Sequence, residues 1–122
     1  MGFWRKEVIE PALDEETRKH VAEQKAWIAA YPEDARPYHN LALLYRMQGR
    51  QEEALGLLLE AVRLDAGHAA AHVALCEIYA VKADTRAAWR HARLAERAGV
   101  GAAVELLRRH NVDEPTGDPQ AG

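Results

Sequence analysis

Residues 38–64 read Tyr38-His39-Asn40-Leu41-Ala42-Leu43-Leu44-Tyr45-Arg46-Met47-Gln48-Gly49-Arg50-Gln51-Glu52-Glu53-Ala54-Leu55-Gly56-Leu57-Leu58-Leu59-Glu60-Ala61-Val62-Arg63-Leu64. Leu41, Leu44 and Tyr45 recur at helical spacing, and Gly49 is a natural residue to follow a helix end. A second apolar run then begins. On a wheel of about 100° per residue, Ala54, Leu55, Leu57, Leu58, Leu59, Ala61, Val62 and Leu64 cover about 220° of a helix spanning Gln51 to Leu64. So wide a stripe requires neighbours on two sides. The stretch predicts two helices joined by a tight turn, with the second helix sandwiched.

Working upstream, Asp34 suits an N-cap and Pro37 falls in the tolerant first turn. Pro32 stops an earlier helical pattern of Val21, Ala22, Ala26, Ile28 and Ala29 that runs to Tyr31. Pro11 is expected to end or bend whatever Trp4 to Glu10 form, which places Asp14-Glu15-Glu16 in a first helical turn. Downstream, Asp65-Ala66-Gly67 breaks the chain. Helices are expected from about Ala69 to Lys82 and Thr85 to Ala98, then a short one from Ala103 to His110 after Gly99 and Gly101. The tail 112–122 has no periodicity and is expected to be disordered.

Shifting the chain against itself by 34 residues superposes the two helix pairs. Leu41 meets Leu75, Tyr45 meets Tyr79, Ala54 meets Ala88 and Ala61 meets Ala95. These are positions where a packed hairpin needs a defined size: small residues let backbones approach, and Leu and Tyr fill the gap. The series Tyr38, Leu41, Ala42, Tyr45, Gly49, Ala54, Leu58, Ala61 and its counterpart His72, Leu75, Cys76, Tyr79, Ala83, Ala88, Ala92, Ala95 resemble the tetratricopeptide repeat family. The second series departs from the family pattern at His72 and Ala92, and Ala66 and Val100 stand where the terminal Pro is usual. Before Pro32, Trp27 occupies a small-residue position, and a two-residue shift aligns Ala22 and Ala29 instead.

The resemblance implies an all-α fold, a right-handed α-solenoid of antiparallel helix pairs with an N-terminal helix and a C-terminal capping helix. The expected organisation is 1–34 as an N-terminal helical segment or degenerate repeat, repeats at 35–68 and 69–100, a capping helix at 101–111, and the tail. Solenoids of this kind need about three units, so the end segments act as caps or a second molecule does.

Composition agrees with an all-α chain. Of 122 residues 24 are Ala, while Gly and Pro together number 13 and Phe appears once. The net charge of −3 offers no overall attraction to nucleic acid. No apolar run approaches the length of a membrane span, and Met1-Gly2-Phe3-Trp4-Arg5-Lys6-Glu7 fits neither a signal peptide nor a myristoylation signal. A cytoplasmic protein is expected, and the Ala- and Arg-rich usage hints at a bacterial source.

Enzymatic chemistry is not expected. The chain has no Ser and no phosphate-binding loop, and its one cysteine, Cys76, reads as a small core residue. His68 and His72 share the i,i+4 spacing of metal ligands, but no third ligand is assignable. No metal or other cofactor is therefore expected. Arg86, Arg90, Arg93 and Arg97 fall within about 60° of one another on one helix. That stripe is either a solvated face or a dock for an acidic partner.

The resemblance also implies a peptide groove on the concave face. The matching positions are Arg36, His39, Asn40, Leu43, Arg46 and Met47 from one repeat, and Val73, Glu77 and Val81 from the next. Asn40 matches the family's recurrent groove asparagine. The Lys and Asn set that clamps a terminal carboxylate in chaperone-binding members is absent, with Leu43 and Glu77 at one of its positions. The expected function is a non-catalytic interaction module for a peptide or partner helix. The alternative is a scaffold that forms homodimers through its solenoid ends.

Overall fold

The computed structural model describes residues 2–116, with side chains from Asp14 onward. Among the described residues there are six helices and no strand: α1 (Gly2–Ala30), α2 (Ala35–Met47), α3 (Gln51–Leu64), α4 (Ala69–Val81), α5 (Thr85–Arg97) and α6 (Ala102–Arg109). The chain is all-α, as expected.

Successive helices pack as antiparallel hairpins. α2 lies on α3, α4 on α5, and α3 meets α4 to join the two hairpins. Small residues make this approach possible. Ala42, Ala54 and Ala61 are fully buried in the first hairpin, and Cys76, Ala88, Ala92 and Ala95 in the second. One core cluster fills the space among α1 to α4, with Leu41, Tyr45, Leu58, Leu75 and Ile78 as its large members. Another holds Cys76 and Trp89 against Val104 and Leu107 of α6, so α6 closes the end of the stack.

The sandwiched reading of α3 holds for most of its stripe. Ala54, Leu58 and Ala61 are buried, and Leu55, Leu57, Val62 and Leu64 pack partly against the core. Leu59, at the edge of the arc, is exposed.

Two N-terminal expectations are corrected. Pro11 lies inside α1 and does not end it. A proline removes one amide donor, but the ladder continues on either side. Asp14, Glu15 and Glu16 therefore stand in mid-helix, where their role is lateral. Asp14 pairs with Arg18 at 2.9 Å, one turn along. α1 spans about 43 Å against about 20 Å for α2, and it touches the core through Val21 and Ile28.

The helix ends show how sequence sets the turns. Asp34 caps α2 by accepting from the Arg36 amide at 3.0 Å, and Asp84 caps α5 by accepting from Ala87 at 3.1 Å. α2, α4, α5 and α6 all finish in the same double-bonded turn. In α2, Gly49 N donates to Arg46 O and Arg50 N to Tyr45 O. The residue after each cap has positive φ: Gly49 at 78°, Ala83 at 62°, Gly99 at 99° and Asn111 at 56°.

Of the tail expected to lack structure, residues 117–122 lie outside the described residues. Val112 to Thr116 form no helix, but Val112 and Glu114 make contacts with α5.

Candidate functional site

The first helices of the hairpins, α2 and α4, present the face that the family resemblance marks as concave. Leu43, Met47 and Val81 are exposed there, Met47 and Val81 at 74% and 88%. Val73 is half-buried at the edge of the second core cluster. Arg46 of α2 reaches Glu77 of α4 at 3.6 Å, bridging the two helices across this face. Met47 and Val81 are 34 residues apart, so one repeat operation carries one apolar position onto the other.

The face continues onto α6. A depression of about 380 Å³ is lined by Val73 and Glu77 of α4 and by Ala102, Ala103, Glu105, Leu106 and Arg109 around α6. Sequence reasoning assigned α6 a capping role alone. The signal available was its position after α5, where the next first helix of a solenoid stands.

Besides the Arg46–Glu77 pair, three expected groove residues are already engaged within the chain. Arg36 pairs with Asp34 at 2.6 Å and lies over the Trp27 ring, 5.1 Å from its centroid. This pairing holds the Asp34 carboxyl down at about 2. The Asn40 amide donates to Gln24 Oε1 of α1 at 3.2 Å. His39 packs against His68 with ring centroids 5.1 Å apart. Burial and then the neighbouring His68 charge lower the His39 pKa. The exposed apolar residues left on the face are therefore Leu43, Met47 and Val81, with Val73 half-buried and Arg46 and Glu77 paired to each other.

Neither histidine of the i,i+4 pair is presented as a metal ligand. His68 caps α4, its Nδ1 accepting from the Ala71 amide at 3.2 Å. His72 is buried, with Nε2 2.8 Å from the Ala66 carbonyl and Nδ1 3.0 Å from Nδ1 of His91. A carbonyl only accepts, so His72 donates through Nε2, and one hydrogen joins the two Nδ1 atoms. Tyr79 stacks on His91 at 5.6 Å. Burial, with the His72 and Arg90 charges, pushes the His91 pKa down to about 4. The pair was not foreseen. The 34-residue alignment placed His91 on Leu57, and a polar residue at a packed position was the available signal.

Cys76 is buried. Burial, with a smaller contribution from Glu77, pushes its thiol up to about 11, far from a nucleophile. Among the described residues no group of three or more His, Cys, Asp or Glu is placed to hold a metal ion. No helix among them is long and apolar enough to cross a membrane.

On the other face, the arginines of α5 are brought together as the wheel implies. Arg86, Arg90 and Arg97 are exposed and Arg93 is half-buried. They line one depression of about 270 Å³ with Trp89, Leu94, Glu114 and Pro115.

Stacked antiparallel hairpins whose first helices share one face define an α-solenoid. Residues 14–95 match the family model described as tetratricopeptide repeat. The chain belongs to that family. Its repeats generally mediate protein–protein interaction. A search of curated proteins finds no match to this chain.

Proposed function

We propose that the protein is a non-catalytic, cytoplasmic interaction module that holds an amphipathic helix or an extended peptide along the face of α2, α4 and α6. The observation carrying this reading is the apolar strip of Leu43, Met47, Val73 and Val81, exposed or half-exposed beside the depression under α6. Large apolar side chains grouped on one face mark a partner surface more than a solvated one. The Arg46–Glu77 pair sets a polar bar across the strip, so a ligand with apolar residues on either side of a polar one fits best. Arg36, His39 and Asn40 act at its border, where their present partners on α1 and around α4 would have to yield.

The test is selection of peptides from a random library, followed by amide chemical-shift mapping of the best binder on the full chain. Shifts are expected on α2, α4 and α6. Leu43→Glu with Met47→Glu should weaken binding at least tenfold while the melting temperature stays within a few degrees, since both positions are exposed. Shifts confined to the second helices, or a stable dimer that buries Met47 and Val81, would overturn the reading in favour of the self-assembling scaffold.

A further inference from the structure

The segment after α6 runs back across the arginine face of α5. Trp89 Nε1 donates to the Val112 carbonyl at 3.1 Å. Arg93 then forks onto Glu114, with Nε 3.0 Å from one carboxylate oxygen and Nη2 2.6 Å from the other. Its third branch holds Glu96 at 2.9 Å, and the guanidinium lies over the Trp89 ring at 5.3 Å. Pro115 follows into the depression among the four arginines. A planar fork on both oxygens matches the geometry of a carboxylate, and the Trp89 bond to a backbone carbonyl suits an extended chain.

The segment and the face carry opposite charge. Residues 112–122 contain Asp113, Glu114 and Asp118 and no Lys or Arg, against four arginines on the helix face.

We propose that the arginine face of α5 is a docking site for an extended acidic peptide segment of a partner protein, with the chain's own segment around Glu114 and Pro115 seated on it as a displaceable occupant. Exposed ion pairs of this kind are individually weak. The cis segment is retained because its tether gives it a local concentration in the millimolar range. A partner carrying more acids, or binding simultaneously elsewhere, displaces it. The site lies on a second helix, away from the α2, α4 and α6 strip, so the two surfaces are independent.

The test uses the full chain and a labelled peptide with the sequence of residues 111–122, titrated by fluorescence anisotropy at low salt. The variant Asp113→Asn/Glu114→Gln/Asp118→Asn keeps the segment but removes its charge. It should bind the peptide about threefold or more tighter than the unaltered chain. Adding Arg90→Ala and Arg97→Ala, both at exposed positions, should abolish that binding with an unchanged circular dichroism spectrum. Leu43→Glu should leave it intact. Equal affinity with and without the cis charges would overturn the proposal. So would binding that survives loss of Arg90 and Arg97, or equal binding of a peptide with its acids replaced by amides.

Discussion

The two hairpins solve one packing problem with different residues. In the first, Tyr38 sends its hydroxyl to the Pro32 carbonyl at 3.0 Å. In the second, one repeat later, His72 sends Nε2 to the Ala66 carbonyl at 2.8 Å. The same backbone acceptor is used six residues upstream in each. Because the acceptor is a carbonyl, the residue bearing it is free to be Pro or Ala. The first hairpin fills its centre with Leu58; the second has Ala92 there, within a cluster completed by Trp89, Val104 and Leu107. The first turns on Gly49 and the second on Ala83, both at positive φ. The difference teaches that the period constrains geometry, and that a hairpin with a neighbour on its open side tolerates smaller, more polar or more strained residues.

The comparison breaks hardest at Leu58. Leu58→Ala removes the largest fully buried side chain of the first hairpin and should cost about 2–5 kcal/mol in urea unfolding. The converse, Ala92→Leu, should destabilise by about 1–3 kcal/mol through overpacking, since α6 already occupies the space. An Ala92→Leu variant as stable as the parent would mean that the second cluster is loosely packed.

The next difference is one of pH. The folded chain holds His91 at about 4, below the ordinary value of 6.5, so between these limits the unfolded chain binds the extra proton. Stability should be full above pH 6.5 and fall as pH drops toward 4, by about 3 kcal/mol at most. His39, also lowered, acts in the same direction. His91→Leu, matching Leu57 in the first hairpin, should flatten most of this slope in chemical unfolding measured from pH 7 to pH 4.5. An unchanged slope would remove His91 as its cause.

The smallest difference is at the turns. A Cβ added at Gly49 would meet no atom within 4 Å, so Gly49→Ala isolates the backbone cost of φ near 78°. It should lose about 1 kcal/mol, and Ala83→Gly should gain up to about the same. Melting temperatures of the two variants should therefore move in opposite directions.

Much of the fold was legible because helical patterns and helix ends are local. The ends of α3 and the Asp34 cap follow from apolar spacing, the turn glycine and one capping side chain. The 34-residue correspondence extended that reading to α4 and α5. Pro11 misled, because a local rule about the residue before proline does not decide whether a long helix continues. Groove positions could be placed on a face by the repeat, but not whether they were open. Asn40 meets Gln24 from 16 residues upstream, and His39 meets His68 from the far side of a hairpin. The sequence by itself determined which residues form helices, where they turn and which small residues face each other, since those depend on neighbours within a few positions. Tertiary structure alone decided that α6 lines a depression with α4, that His72 and His91 meet through one buried hydrogen, and that Glu114 seats on Arg93. Each of these joins residues separated by about 19 or more positions, where no local spacing records which side chains will meet.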